Sequence, residues 1–384
     1  MDLTERIERR RNHRYENRLV VDWDALNPAV HLSEPVGREF VFEAILDAAD
    51  PIFDGQLPPN VYVWGPAGSG KSAIVTSLYS ALQQTVSRGQ RTFHTATRAD
   101  SLLGGFHFVY VDTRRTASRF KLYQQLLNAL VDDKVPERGI GTGELEDRLQ
   151  AELASADGLL VGVDHVDMDE TLDIAELREF LAPFPKVRWT AVGRTPPDDL
   201  DSHPPEVEIQ VPSYNYEIVD ILTTRGTSGL SKGLDHTQAK ALAEWSDGNA
   251  HDALAALFGA ASVAEADDAK TLRDEDLEAG KEAVPKGGVP IGRVLTLPEN
   301  KQLVLRTLLD VSDSEQSIDT AADAIAAETD LSPGTVRRYI YELAQHDVLE
   351  RREVAVETGT AGRRPSGAVP RFPTLVFERL HSGT

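Results

Sequence analysis

The sequence predicts an α/β core with a parallel sheet, followed by an α-helical segment and a C-terminal winged helix. From about residue 19 to residue 212, short apolar runs alternate with longer stretches in which apolar residues recur every three or four positions. This alternation is typical of βαβ units and parallel sheets. Strand-like runs lie at residues 61–64, 106–111, 159–163 and 189–192, and helix-like stretches include residues 72–84 and 120–132.

A cluster of prolines and glycines at residues 285–292 marks the clearest domain boundary in the chain. The strand pattern stops earlier, at Pro212, and helical patterns dominate from there to about residue 284. We therefore expect a basic N-terminal tail at residues 1–18, an α/β core at 19–212, a helical lid at 213–284, a linker at 285–294 and a winged-helix domain at 295–384.

The C-terminal segment has the order of elements of a winged helix. Helical patterns at about residues 299–311, 320–329 and 333–345 are followed by β-rich segments at 348–357 and 371–377. Ser332 is a natural N-cap for the third helix, with Pro333 at the first helical position. The two β-rich segments flank a polar, glycine-containing tip that carries Arg363 and Arg364. Three helices and a hairpin in this order predict a winged helix.

The net charge of -22 arises from 62 acidic and 40 basic residues, and it is unevenly distributed. Residues 1–18 and 332–384 each carry a charge of +2, so the body between them carries -26. The basic residues comprise 30 Arg and 10 Lys. A dispersed acidic surface poor in lysine suits a cytoplasm of molar salt, so we expect a halophilic source. The alternative is an ordinary acidic mesophilic protein.

The chain has no cysteine, which excludes disulfides, thiolate nucleophiles and Cys-ligated metal sites. The N-terminal 18 residues contain six arginines but no apolar signal-peptide core. No later segment approaches the ~18 uncharged apolar residues of a membrane span. We therefore expect a cytoplasmic protein without a membrane partner.

The strongest motif is a phosphate-binding loop directly after the apolar run at residues 61–64. It fits G-x-x-x-x-G-K-[ST] between a strand and a helix, the context that the motif requires. Its residues are Gly65, Pro66, Ala67, Gly68, Ser69, Gly70, Lys71 and Ser72. The glycines let backbone N–H groups point at phosphate oxygens. We expect ATP or ADP with Mg²⁺ as cofactors, Lys71 at the phosphates and the Ser72 hydroxyl on the metal.

A second magnesium ligand is expected where the run at residues 159–163 ends in Asp164. In hydrolytic sites a glutamate that polarises the attacking water normally follows this aspartate, but here His165 follows it. His165 either acts as a general base, because histidine titrates near neutrality, or is a substitution that slows hydrolysis. Asp167 is either a further acid behind the site or a solvated residue.

The ordered motifs resemble the archaeal replication initiators, which are similar to the large subunit of the origin recognition complex and to the cell division control loader. These are AAA+ proteins with a C-terminal winged helix. The resemblance covers nearly the whole chain. Besides the phosphate loop and the winged helix, it rests on residues 34–39, 109–112, 135–145, 211–214 and 221–225. The segment at 135–145 is similar to an insertion specific to initiators.

By this resemblance, Tyr214 and Arg225 match lid positions that contact nucleotide, although their spacing is one residue short. An exposed aromatic residue and a helix-surface arginine are the alternative. His251 stands where the family carries a phosphate-sensing arginine, Arg194 where it carries a polar sensor, and residues 201–205 lack the arginine that acts in trans. With His165, these departures imply slow ATP hydrolysis.

A winged helix inserts its third helix into the major groove of DNA, and its hairpin reaches an adjacent groove or the backbone. The predicted contacts are Thr335, Arg337, Arg338 and Tyr341 on the helix, and Arg363 and Arg364 at the hairpin tip. Arginine can bind guanine edges or phosphates in bidentate fashion. The alternative is that some of these arginines only pair with Glu342, Glu350 or Glu353.

The resemblance implies an ATP-binding replication initiator that recognises double-stranded origin DNA and helps to recruit the replicative helicase, as a monomer or as an oligomer assembled on DNA. One alternative is an ATP-switched regulator of transcription or plasmid maintenance with the same winged helix. Another is an active AAA+ remodelling ring, against which the missing arginine at residues 201–205 argues.

Overall fold

A computed structural model describes residues 18–32, 35–91, 105–168, 171–201, 205–311, 316–354 and 366–382. The chain forms two compact units, one at residues 31–214 and the other combining residues 1–30 with residues 215–384. The strands are β1 (Val61–Trp64), β2 (Phe106–Asp112), β3 (Gly158–Asp164), β4 (Val187–Gly193), β5 (Val207–Gln210), β6 (Leu349–Glu353) and β7 (Ser366–Pro370).

The helices are α1 (Trp23–Leu26), α2 (Glu39–Ala49), α3 (Lys71–Arg91), α4 (Arg119–Asn128), α5 (Thr142–Ser155), α6 (Ile174–Leu181), α7 (Glu217–Gly229), α8 (His236–Ser246), α9 (Ala250–Ala266), α10 (Asp274–Glu282), α11 (Ile291–Val294), α12 (Glu299–Val311), α13 (Ile318–Glu328), α14 (Pro333–Gln345) and α15 (Thr374–Ser382). Two short 3₁₀ turns, at Asp50–Asp54 and Pro197–Asp199, complete the described helical elements.

The unit at residues 31–214 is built on a parallel sheet, which has five strands in the described ranges, in the order β2-β3-β4-β1-β5. Each residue of β3 is buried, as expected for a central strand covered by helices on both faces. Asp112 at the end of β2 is in register with Asp164 at the end of β3, and Trp64 of β1 with Gly193 of β4. The chain segments that follow these strands therefore all leave from the same edge of the sheet.

Helices cover both faces of this sheet, because alternate residues of each strand point to opposite sides. In β1, Val61 and Val63 join the apolar core that contains Ile45 of α2 and Ile74 of α3. Tyr62 joins the opposite core, which contains leucines of α4, α5 and α6. This layering places α3 and the phosphate loop before it directly at the carboxyl end of β1.

The second unit contains the predicted lid helices, packed around α9. This helix is buried nearly all round, with many alanines among its buried residues, so neighbouring helices approach it closely. A Cβ atom on Gly280 of α10 would lie 2.2 Å from the Ala256 carbonyl oxygen. The glycine therefore allows the α9–α10 packing.

Residues 19–30 pack with the helical lid in this unit, although the sequence pattern assigns them to the α/β core. Val20 pairs with Leu230 in an isolated antiparallel bridge, and the Val21 amide donates to the Gly229 carbonyl at 2.8 Å. Leu19 and Val20 are buried. A bridge between residues that lie about two hundred positions apart leaves no local signal, which explains the difference.

The expected linker at residues 285–294 is a packed segment. The Val289 amide donates to the Arg371 carbonyl at 2.6 Å, and a Cβ atom on Gly288 would lie 2.3 Å from the same oxygen. Ile291 and Val294 of α11 are fully buried. The glycines and prolines here shape a close approach to the C-terminal segment and do not form a free spacer.

The helix–helix–helix–hairpin order predicted for the C-terminus is present as α12, α13, α14 and the antiparallel pair β6–β7. The Ser332 hydroxyl caps α14 by accepting from the Thr335 amide at 3.2 Å. The prediction of a strand at residues 371–377 is wrong, because α15 begins at Thr374. The adjacent residues Val376 and Phe377 are both buried, which one face of a helix allows, whereas adjacent residues of a strand point to opposite sides.

Residues 355–365 lie outside the described residues, and with them the predicted DNA contacts Arg363 and Arg364. The same holds for residues 1–17 of the basic tail and for residues 202–204. In the described part of the chain, no helix is both long enough and apolar enough to cross a membrane.

Candidate functional site

The phosphate loop follows β1, and its backbone geometry requires glycine at defined positions. Gly65, Gly68 and Gly70 have φ values of 150°, 69° and 90°, a region that favours glycine. A Cβ atom on Gly65 would lie 2.1 Å from the carbonyl oxygen of Val211, and one on Gly70 would lie 2.5 Å from the Tyr214 hydroxyl. The loop is therefore confined between its own turn and the segment after β5.

Lys71 is the first residue of α3, and its side chain turns back into the loop. Its Nζ donates to the carbonyls of Gly65 and Pro66, at 2.7 Å each, and lies 3.3 Å from the Ser69 hydroxyl. Burial and the nearby Arg194 guanidinium lower the pKa of Lys71 to about 8. The ammonium is therefore charged at neutral pH and concentrates positive potential where the loop N–H groups converge.

Asp164 ends β3 and is 1% exposed. The Tyr110 hydroxyl donates to its Oδ2 at 2.6 Å, and the His165 amide donates to its Oδ1 at 2.8 Å. Burial first, and then the charge of Asp164, raises the pKa of Tyr110, so the phenol stays a donor. This carboxylate is held rigidly at the sheet edge that carries the phosphate loop, as the prediction of a magnesium ligand requires.

The donor set fits Mg²⁺ bound together with nucleotide. In the described ranges, no group of three or more His, Asp or Glu side chains forms a ready metal site. Magnesium is commonly held by one or two protein oxygens together with waters and substrate phosphates. The Ser72 hydroxyl and the Asp164 carboxylate are oxygen donors of that kind, and their role as ligands remains a prediction.

His165 is held in an unusual conformation beside two carboxylates. Its φ of 67° is rare outside glycine, asparagine, aspartate and histidine. Its Nδ1 lies 3.4 Å from Asp164 Oδ1 and 3.5 Å from Asp112 Oδ1, although neither contact has hydrogen-bond geometry. Burial lowers the pKa of His165, against the pull of Asp164. The imidazole is therefore uncharged at neutral pH and is a weak base.

Arg114 neutralises the carboxylate next to His165, and sequence reasoning missed this contact. Its Nε and Nη2 bind Asp112 at 2.9 and 2.7 Å in bidentate fashion. Hydrogen bonds and charge from Arg114 keep the pKa of Asp112 below its usual range, although burial opposes them. Because Arg114 lies only two residues after the strand end, a short D-x-R pattern was the available signal.

Asp167 links the segment after β3 to the end of β4. Its carboxylate is hydrogen-bonded within the protein, so it is not simply a solvated residue. Its Oδ2 accepts from the amides of Arg194 and Thr195, the latter at 2.7 Å, and from the Thr195 hydroxyl at 3.1 Å. The Tyr62 hydroxyl donates to the Thr195 carbonyl at 2.9 Å. The position of Arg194, whose charge acts on Lys71, therefore depends on Asp167.

Arg38 lies behind the phosphate loop and is 6% exposed. Its Nε donates to the Ser69 carbonyl at 3.0 Å and its Nη2 to the Pro212 carbonyl at 2.8 Å. The guanidinium carbon lies 3.5 Å from the ring centroid of Tyr214, a cation–π contact. Tyr214 is buried in the same unit as the loop, and its contact with nucleotide remains a prediction.

Arg225 and His251 belong to the other compact unit. Arg225 is fully buried, so the alternative of a helix-surface arginine is wrong. Its guanidinium donates to the Asn27 carbonyl and, at 3.0 Å, to the Val30 carbonyl, and burial lowers its pKa to about 10. His251 Nε2 accepts from the Ile291 amide at 3.2 Å. These described partners are protein groups, and nucleotide contact by either residue remains a prediction.

The predicted DNA-contacting arginines of α14 form ion pairs. Arg337 Nε lies 3.0 Å from Asp319 Oδ1, and Arg338 Nε lies 3.7 Å from Glu342 Oε1. The expected alternative of pairing with Glu342 therefore applies to Arg338. Exposed pairs contribute at most about 1 kcal/mol, so phosphates can compete for these side chains.

Tyr341 and Arg351 join α14 to the hairpin on the same surface. Tyr341 is 40% exposed, and the Arg351 guanidinium lies 5.1 Å from its ring centroid. Thr335 lies in the first turn of α14, with its amide engaged by the cap. Arg351 was not predicted, because only the fold shows that β6 passes beside the exposed face of α14.

Comparison with known proteins shows what this chain is similar to. The family model described as AAA ATPase domain matches residues 34–186. The ORC1-type DNA replication protein 1 of Sulfurisphaera tokodaii is 27% identical over 304 residues, which cover 74% of this chain and 71% of the relative. The ORC1-type DNA replication protein 10 of Halobacterium salinarum is 24% identical, over 70% of this chain and 67% of the relative. The chain is therefore similar to archaeal ORC1-type DNA replication proteins.

Solved structures of archaeal ORC proteins share the fold of this chain. The Aeropyrum pernix ORC1 protein, solved in complex with DNA, superposes with a TM-score of 0.60 at 20% identity and covers 95% of this chain and 97% of its own. The Aeropyrum pernix ORC2 protein, solved in ADPNP-ADP complexes, has a TM-score of 0.55 at 14% identity, with 95% and 100% coverage. The predicted fold class, an AAA+ core with a parallel sheet, is confirmed.

Proposed function

We propose that this chain is a replication initiator of the ORC1/Cdc6 type, which binds ATP or ADP, binds double-stranded DNA at origins and helps to recruit the replicative helicase. The observation that carries the proposal is the phosphate loop, whose glycines and buried Lys71 form an anion-binding cradle at the sheet edge. The ORC1-type replication proteins among the relatives support the initiator role.

The residues of the site have different proposed roles in nucleotide binding. Backbone N–H groups of residues 67–72 bind phosphate oxygens, and the Lys71 ammonium exchanges its loop carbonyls for the more negative phosphates. Ser72 and Asp164 would hold Mg²⁺. Magnesium, when bound, neutralises charge on the phosphates. Tyr214, Arg225 and His251 are proposed to contact the nucleotide from the predicted lid, residues 213–284.

Slow hydrolysis follows from the residues around Asp164. A base that polarises water must accept a proton, and burial lowers the pKa of His165. Arg114 forms an ion pair with the adjacent Asp112. The Asp112 carboxylate is therefore a poor substitute for the glutamate that normally polarises the attacking water. The proposed protein therefore retains bound nucleotide and acts as a switch.

DNA binding is proposed through the surface formed by α14 and β6. Thr335, Arg337, Arg338 and Tyr341 contribute from the helix, Arg351 contributes from the strand, and Arg363 and Arg364 contribute from the hairpin tip. In high salt, phosphate contacts lose affinity steeply, so base edges and apolar fit must contribute more. The segment at residues 135–145 is a second proposed contact. It is anchored by the Asn128 side chain, which accepts from the Val135 amide at 2.8 Å.

The nucleotide switch is tested by quantifying co-purified nucleotide and steady-state turnover. We expect wild type to retain ATP or ADP and to hydrolyse well below about 1 s⁻¹, the low end for ordinary enzymes. Lys71→Ala should lose the nucleotide while keeping its circular dichroism spectrum. Turnover at or above that rate would contradict the proposed switch.

The DNA surface is tested by fluorescence anisotropy with origin duplex in high salt. Arg351→Ala should weaken binding about tenfold, because one base or phosphate contact contributes about 1–3 kcal/mol. Arg352 is the matched control. It is the next residue of β6, so it points to the opposite side of the strand, and it pairs with Glu350 at 3.0 Å. Equal losses in both variants would place the DNA elsewhere. A pull-down with the replicative helicase tests recruitment.

A further inference from the structure

We propose that Arg38 is a positioning residue that couples the phosphate loop to residues 212–214, the end of the α/β unit. Nucleotide binding at the loop would then be transmitted to the segment from which the chain continues into the lid. This inference rests on the proposed nucleotide binding and adds to it a route by which occupancy of the loop changes the protein.

On one side, the Arg38 guanidinium contacts the peptide group between Ser69 and Gly70. A trans peptide is planar, and its C=O and N–H point in opposite directions. Arg38 Nε donates to the Ser69 carbonyl at 3.0 Å from behind the loop, so the Gly70 N–H is turned to the other side, toward the anion cradle. The φ of 90° at Gly70 lets the backbone hold this orientation. Arg38 therefore orients one of the N–H groups that meet a phosphate.

The opposite end of the same guanidinium contacts residues 212–214. Its Nη2 donates to the Pro212 carbonyl at 2.8 Å, and its plane lies over the Tyr214 ring at 3.5 Å from the centroid. The five N–H groups of a guanidinium are fixed in one planar fork. A displacement of the Ser69 carbonyl therefore moves the donors and the stacked face that hold residues 212–214.

Arg38 is nearly fully buried, and in the described ranges its polar partners are backbone carbonyls and no carboxylate forms an ion pair with it. A phosphate that accepts from the Gly70 N–H polarises the Ser69–Gly70 peptide and strengthens the bond from Arg38. By linkage, the protein binds nucleotide more tightly when Arg38 holds residues 212–214 more firmly, and the two effects are equal in free energy.

The test compares Arg38→Lys with wild type, because lysine keeps the charge and loses the planar fork. The assay combines the affinity for fluorescent ADP with hydrogen exchange of peptides covering residues 65–72 and 211–216. In wild type, ADP should slow exchange in both peptides. In Arg38→Lys, ADP should still protect the loop, protection of residues 211–216 should be lost, and affinity should fall about tenfold, within the usual range of coupling between sites.

Two further variants keep the test decisive. Arg188→Lys is the matched control, since Arg188 also donates to two backbone carbonyls and lies away from the loop, so both protections should persist. Tyr214→Leu is the second variant, for use if Arg38→Lys fails to fold. It removes the stacked ring and should uncouple residues 211–216 from the loop. Wild-type protection of residues 211–216 in both Arg38→Lys and Tyr214→Leu would overturn the inference. Failure of wild type to bind ADP at all would instead overturn the proposed nucleotide binding.

Discussion

Replacing Asp167 by alanine should release the chain at the end of β4. The carboxylate accepts from the Arg194 amide, the Thr195 amide and the Thr195 hydroxyl. A hydrogen bond to a charged group contributes about 1.5–3 kcal/mol to stability. Because 1.4 kcal/mol corresponds to a tenfold change in an equilibrium constant, local opening at Thr195 should become about 10- to 150-fold more frequent.

Hydrogen exchange of the Thr195 amide measures this opening directly. A local readout is needed because a chain with two compact units need not unfold in one step. Asp198→Ala is the control, since Asp198 lies in the neighbouring 3₁₀ turn and is exposed. In Asp198→Ala, the Thr195 amide should exchange at the wild-type rate. If Asp167→Ala also exchanges at the wild-type rate, Asp167 does not hold this segment.

Three further predictions concern the nucleotide site. Gly70→Ala should abolish ADP binding in a fluorescence titration, because the new Cβ would lie 2.5 Å from the Tyr214 hydroxyl and the φ of residue 70 is 90°. Gly139→Ala controls for backbone strain, because Gly139 also has a positive φ but has open space around it. Equal losses of ADP binding in both variants would refute the contact with Tyr214. Because the pKa of Lys71 is lowered to about 8 in the folded protein, the unfolded chain binds more protons than the ligand-free folded protein between about pH 8 and the ordinary pKa of lysine. The free energy of unfolding should therefore rise with pH in this range, while ADP affinity should fall because Lys71 loses its charge. ADP affinity unchanged from pH 7 to pH 9 would contradict this. His165→Glu should raise turnover about tenfold in a phosphate-release assay, short of the 10²–10⁴ that a well-placed base supplies, because Asp164 and Asp112 repel a third carboxylate; an unchanged rate would place the defect elsewhere.

The local features of the site could be predicted from the sequence, because their determinants are contiguous. The phosphate loop needs only a strand, a glycine-rich turn and Lys71 in register, and all of these lie within one short stretch. Asp164 was predicted for the same reason, since it directly follows an apolar run. The capped start of α14 also depends on neighbours only, namely Ser332 and Pro333.

Contacts between distant segments could not be predicted. Arg38 meets carbonyls 31 and 174 positions away, and no spacing rule connects them. Residues 19–30 join the lid unit through a bridge to Leu230. The helix that begins at Thr374 was predicted as a strand because a short apolar run fits either period. In each case the tertiary partner decides the structure.

The most direct test of the account is a genome-wide map of the DNA bound by wild type and by Lys71→Ala in the native organism. An ATP-dependent initiator predicts binding peaks at regions where replication starts, and loss of those peaks in Lys71→Ala. Peaks scattered over promoters, or origin peaks that persist unchanged in Lys71→Ala, would contradict it.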